Sequence, residues 1–139
     1  MSWIVSAFVS MVFAGFTSVI AKKGLTGISG DLGLTIRTIF VFIYMLGFAV
    51  YAVPAKDWSL LKTSNWLWLA ASAVTTTLSW IFYYRAIKAG EVSTVALIDK
   101  GSVVVSVVLA FLFLHESITT AKLAGAGLIL AGLVVLARG

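Results

Sequence analysis

The chain has 139 residues, 61% of them hydrophobic and only 11% charged, with ten Lys and Arg against five Asp and Glu. A soluble domain carries about 25% charge, so too little polar surface remains for a water-facing globule, and the net charge of +5 belongs with anionic lipid headgroups rather than with nucleic acid. The absence of cysteine excludes a disulfide framework, a thiolate nucleophile and a cysteine-ligated metal, and the lone His115 has no second histidine with which to hold one.

Crossing the hydrocarbon core takes roughly 20 apolar residues, and five runs approach or reach that length. Residues 3–21 are uncharged and end at Lys22-Lys23. They lack the positive n-region and small-residue cleavage site of a signal peptide and exceed its usual apolar length, which predicts a retained helix. Residues 32–53 form the second run, with Arg37 inside it and Pro54 behind it. Residues 55–65 mix Lys56, Asp57 and Lys62 with Trp58, Leu60 and Leu61, the pattern of an interfacial connection. The third run, residues 66–84, opens on Trp66 and Trp68 in the manner of an aromatic belt. After a short charged turn, residues 92–114 make the fourth, with Asp99-Lys100 inside. Residues 119–137 make the fifth, and Lys122 lies close enough to its end to snorkel. The runs are too long for barrel strands, which need about 10 alternating residues. The expected fold class is an all-α membrane protein with five transmembrane helices in one domain, residues 1–139.

Five spans put the termini on opposite sides. Lys22, Lys23, Arg85, Lys88 and Arg138 then share one face, and Lys56, Lys62 and Lys122 the other. The positive-inside rule favours N-out and C-in, and the small difference permits insertion in both orientations.

The charges within the runs carry the most information. Each costs about 2.5–3.5 kcal/mol near mid-bilayer unless paired, hydrated or able to snorkel. Arg37 is five residues into its run and long enough to reach the interface. Asp99, about 10 Å deep at 1.5 Å per residue, is too short to snorkel and must face protein or water. Lys100 follows it about 100° further round a regular helix and need not pair with it. Arg37 and Asp99 sit at comparable depths from one face.

Helical spacing gathers polar residues into stripes. Asp99, Ser102 and Ser106 fall at i, i+3 and i+7. Trp3, Ser6, Ser10 and Thr17 form another stripe, and Thr75, Thr76, Thr77, Ser79 and Trp80 a third cluster. Each hydroxyl alone is explained by a bond to its own helix carbonyls; three clusters together point to an amphiphilic cavity. In the last run Ala121, Gly125 and Gly132 offer a small-residue face for helix packing or a dimer contact, with Gly127 and Ala131 a second small pair. No phosphate-cradling glycine loop or nucleophile elbow is present, so neither an enzyme activity nor a cofactor is expected, and no metal set is found.

Residues Tyr84-Arg85-Ala86-Ile87-Lys88-Ala89-Gly90 and Val92-Ser93-Thr94-Val95-Ala96 resemble the end of the third helix in the EamA-type drug/metabolite transporter superfamily. His115-Glu116-Ser117-Ile118-Thr119 resembles its Gly-Glu-x-x-Thr turn, with His115 where glycine is usual. Residues 125–132 resemble its final glycine-rich helix, and residues 96–104 are similar to a signature of its bacterial/archaeal branch. The resemblance implies a prokaryotic inner membrane and a single five-helix unit, one half of an inverted-repeat transporter. Such repeats place the substrate near the midplane, at their interface. A single repeat implies a dimer, either an antiparallel homodimer, which is favoured, or a heterodimer with a paralogue. The smaller relatives carry a proton-coupling glutamate in their first helix; here that run holds no acid, and Asp99 is the only acidic residue deep in a span. The reading is a secondary transporter or exporter of small metabolites, whose partners are lipid, a second chain and a small-molecule substrate. Asp99, Lys100, Arg37, Ser102, Ser106, Ser10, Thr17, Thr76 and Trp80 are its candidate substrate or ion contacts. The alternative is a non-transporting membrane subunit that supports another protein.

Overall fold

A computed structural model describes residues 2–138. Six α-helices and one short 3-10 helix account for nearly all of them, and no strand occurs among the described residues. The α-helices are α1 (Trp3–Gly24), α2 (Gly30–Ala52), α3 (Thr63–Ala89), α4 (Val92–Asp99), α5 (Ser102–Leu114) and α6 (Thr120–Arg138). The 3-10 helix, Ala55–Leu60, lies within the connection read as interfacial.

Local chemistry sets the ends. Lys22 and Lys23 occupy the last turn of α1, where cations oppose the negative end of the helix dipole. The Ser29 hydroxyl accepts the Leu32 N–H at 3.2 Å and caps α2, and Asp31 stands in its first turn. Pro54 keeps the preceding residue extended, so α2 stops at Ala52. At the end of α5, His115 is left-handed, with φ 54° and ψ 30°. The His115 and Glu116 N–H groups both return to Ala110 O, a Schellman-like terminus in which glycine is the commonest occupant.

Two features depart from five uniform spans. Four segments are both long and apolar enough to cross a membrane: Trp3–Gly24, Gly30–Ala52, Val92–Leu114 and Thr120–Arg138. Helix α3, with 27 residues, has the length, but its Trp, Tyr, Ser and Thr residues dilute its hydropathy. The second departure is the fourth run, which is two helices, α4 and α5, separated by Lys100-Gly101.

The chain divides into two compact units, residues 19–89 and residues 1–18 with 90–139. In the first, α2 packs along α3, and its core is Leu25, Leu34, Tyr84 and Ile87, with Ile87 fully covered and Leu25 2% exposed. Gly30 permits the closest approach: a Cβ there would stand 2.8 Å from the Tyr84 carbonyl oxygen. Around this core three polar ties cross between helix ends. The Lys22 ammonium donates to the Ile87 and Lys88 carbonyls, the Lys88 ammonium donates to Leu25 O at 3.0 Å, and the Arg85 guanidinium holds the Asp31 carboxylate at 2.8 and 3.1 Å. The C-terminal ends of α1 and α3 thus lie side by side, and each is capped by a lysine from the other. Two like dipole ends would repel; a cation on each offsets that repulsion.

In the second unit α6 packs against α4 and α5. No residue of these three helices is buried. Their faces are covered with Val, Leu, Ile and Phe, a surface suited to lipid.

Candidate functional site

The interruption in the fourth run is a change of hydrogen-bond register. Lys100 and Gly101 keep right-handed dihedrals, yet Gly101 N–H bonds Ile98 O at 2.9 Å, Val103 bonds Lys100 O at 3.1 Å and Val104 bonds Gly101 O at 3.0 Å. These are i to i−3 bonds, one turn of 3-10 geometry inside a long helix, a feature that often marks a hinge or a functional position. Asp and Gly are both poor helix formers. Gly101 also admits α6, because an added Cβ would lie 2.9 Å from Leu133 Cδ1. Asp99 and Lys100, which spacing did not require to pair, come together loosely here, with Lys100 Nζ 3.8 Å from Asp99 Oδ2 and both side chains partly exposed.

Beyond the interruption a cavity of about 310 Å³ opens against α5. Ser102, Val103, Ser106, Val107 and Ala110 supply one wall; Glu116, Ser117, Ile118 and Lys122 supply the other. Ser102 and Ser106 share it because residues four apart lie on one helix face; Asp99 is not part of the wall. The Lys122 ammonium donates to Glu116 Oε2 at 3.1 Å and to Ser117 O at 3.2 Å, while the Thr119 hydroxyl accepts the Lys122 N–H.

Hydrogen bonding sorts the predicted hydroxyls into two sets. Thr17 donates to Phe13 O at 2.8 Å and Thr76 to Ser72 O at 2.9 Å, and Thr75 and Thr77 do likewise. Their polarity is spent on their own helices. The hydroxyls of Ser10, Ser102 and Ser106 take no partner among the described residues, and two of those three line the cavity.

Arg37 and Trp80 meet within the first unit. The Arg37 guanidinium lies 4.4 Å from the centre of the Trp80 ring and 5.8 Å from that of Tyr84, and its Nη1 is covered without a hydrogen-bond partner. A desolvated cation–π contact is worth about 2 kcal/mol, which offsets most of the 2.5–3.5 kcal/mol a mid-bilayer cation costs. Aromatic rings therefore serve a charge that the sequence reading took as long enough to snorkel. Of the small-residue face, an added Cβ at Gly125 or Gly132 meets nothing within 4 Å, so with exposed Ala121 this face is open in the single chain.

Spacing alone did not single out Glu116, Ser117 and Lys122 as cavity residues, because they reach it across a loop, where neither a 3.6 nor a 2 period applies. Gly101 was detectable as a glycine following two charges in mid-span. The reciprocal lysine caps join residues 63 to 66 apart and leave no local signal.

A chain whose described residues are almost wholly helical, with four helices long and apolar enough to cross a membrane, is a multi-pass membrane protein. The chain belongs to the EamA-like transporter family, whose model matches residues 1–138. It is 34% identical over 136 residues, 98% of this chain and 96% of the relative, to a Sinorhizobium sp. protein described as an uncharacterized transporter in the cobO 3' region. No solved structure matches.

Proposed function

We propose that this chain is one half of a secondary transporter of small metabolites, crossing a prokaryotic inner membrane five times with its C-terminus inside. The observation that carries the reading is the interrupted fourth helix beside a cavity lined by unpartnered serine hydroxyls. Non-helical backbone and free polar groups at membrane depth are tolerated where they line a protein or water cavity, and interrupted helices with sites near the midplane are recurrent in transporters.

Helix α3 supplies the fifth crossing. Ten residues separate it from the end of α2, and its Tyr84 packs on Gly30 at the start of α2. From residue 63 to 84 it rises about 32 Å, against about 34 Å for α2. A helix of that length that packs antiparallel on a membrane-spanning neighbour, with Trp80 on Arg37 and Tyr84 on Gly30, is suited to cross the same membrane. The polar residues that lower its hydropathy are held by back-bonds and by the Arg37 stack.

One repeat forms half of an enclosure, so the working unit is a dimer, with an antiparallel homodimer preferred to a paralogue pair. The open Gly125–Gly132 face and the small loop-charge bias of five to three support it. Uptake or efflux in proteoliposomes, screened across small metabolites, tests the transport reading. Asp99→Asn is expected to lower the rate more than Arg37→Lys, since the latter keeps its charge. A folded dimer that moves no solute in either direction would leave the non-transporting subunit as the reading. Because the native chain has no cysteine, Thr26→Cys reports orientation: labelling from both membrane faces is expected, and labelling from one face alone, with no paralogue present, would sink the antiparallel pair.

A further inference from the structure

We infer that Arg37 is the phosphate-binding group of a site for one anionic phospholipid, whose headgroup is held near the start of α2 and whose acyl chain lies along Phe40 and Tyr44. The inference needs only that α2 crosses a membrane and stands apart from the transport reading.

Unmet hydrogen-bonding capacity carries the argument. A guanidinium has five N–H donors. Arg37 makes no hydrogen bond and no ion pair with the described residues, and its partners are the Trp80 and Tyr84 rings. Only its Nη1 is fully covered, so the edge formed by Nε and Nη2 stays open. Arg85 presents the same edge to the Asp31 carboxylate, at 2.8 and 3.1 Å. The rings hold the plane of the Arg37 fork, and two oxygens of a phosphate match its open edge.

Position selects the anion. Arg37 lies seven residues, about 10.5 Å, along α2 from Gly30, and helical side chains lean toward the N-terminus of their own helix. Contact with Tyr84, which packs on Gly30, fits that lean. The guanidinium is thereby within reach of phosphates at the membrane boundary. The same helix ends carry Lys22, Lys23, Arg85 and Lys88 against one acid, Asp31, which Arg85 already holds. That excess of positive charge favours an anionic lipid over a zwitterionic one.

Inward of Arg37, Phe40 and Tyr44 follow at i+3 and i+7, on the same helix face. Their rings stack with centroids 6.2 Å apart, and the two residues are 52% and 68% exposed. A free phosphate would use the cation and leave this aromatic track bare; a phospholipid uses both.

Titration of dioleoyl phosphatidylglycerol and dioleoyl phosphatidylcholine into the delipidated protein in detergent, read by native mass spectrometry, tests this. Phosphatidylglycerol is expected to bind about tenfold more tightly than phosphatidylcholine. Its deacylated headgroup, glycerophosphoglycerol, should not displace it at equal concentration. Arg37→Gln should weaken phosphatidylglycerol binding about tenfold, the scale of one lost charge-assisted hydrogen bond. Arg37→Lys, which keeps the charge and loses the fork, should weaken it about threefold. Phe40→Ala, which leaves the cation in place, should also weaken it about threefold through lost acyl contact, and it carries the test should Arg37→Gln fail to fold. Lys62→Gln, which removes a charge beside the first turn of α3, should bind as wild type does. Equal affinity for the two lipids, wild-type affinity in folded Arg37→Gln and Phe40→Ala, or displacement by glycerophosphoglycerol as effective as that by the lipid would overturn the assignment. The last outcome would make Arg37 a site for a soluble phosphate.

Discussion

The two units of this chain show opposite solutions to helix packing in a membrane. Where α1 ends, α2 begins and α3 ends, side chains interlock: Leu25, Leu34, Tyr84 and Ile87 are buried, Gly30 brings two backbones together, and long cationic side chains tie one helix end to another. In α4, α5 and α6 nothing is buried, a turn of 3-10 geometry interrupts the fourth run, and a cavity stays open. Lipid is as apolar as leucine, so apolar faces alone gain little from meeting each other; close backbone approach and polar ties decide which helices hold together. The first unit has both; the second has one glycine close approach, Gly101 against Leu133, and its polar ties run only from α6 to the loop that leads into it.

The largest test of this contrast is Gly30→Leu. Its side chain would enter the Tyr84 backbone, which cannot yield as a side chain can, and a loss of about 3 kcal/mol is expected, read by unfolding in mixed micelles of mild and denaturing detergent. A matched change in the second unit, Gly125→Leu, meets open space and should leave monomer stability within about 0.5 kcal/mol. Equal losses at the two glycines would erase the distinction.

The lysine ties come next. Lys22→Met and Lys88→Met each remove an ammonium–carbonyl bond at a helix end, for an expected cost of about 1.5–3 kcal/mol. Because both serve one pair of helix ends, the double variant is expected to deviate from additivity, measured as a double-mutant cycle. Strict additivity would show two unrelated surface bonds.

Gly101→Ala should change stability by less than about 1 kcal/mol, since the better helix propensity of alanine opposes a contact with the movable end of Leu133. Its effect belongs to transport: a straighter fourth helix is expected to slow flux without loss of protein. Wild-type flux would show that the interruption is incidental.

The smallest effect has the opposite sign. His115 sits at φ 54°, a conformation that costs a residue with a Cβ about 1–2 kcal/mol. His115→Gly should gain about 0.5 kcal/mol after the extra flexibility of glycine in the unfolded chain is subtracted, seen as a small rise in melting temperature. A loss would mean that the imidazole makes a contact of its own.

Composition and apolar run length determined the membrane class, the helical fold and the approximate positions of the four helices long and apolar enough to cross, because the hydrocarbon core imposes its length on any chain that crosses it. The sequence resemblance to EamA-type transporters agrees with the family match over residues 1–138. Spacing along α5 also placed Ser102 and Ser106 on a common face, since a helix repeats every 3.6 residues regardless of its neighbours. Only the tertiary structure decided what lies opposite each face. It placed Arg37 on the Trp80 and Tyr84 rings and paired lysines with carbonyls more than 60 residues away. It also showed that Thr17 and Thr76 turn back onto their own helices while Ser102 and Ser106 remain free beside Glu116 and Lys122. These outcomes depend on how helices and loops are juxtaposed, and a one-dimensional period carries no record of that.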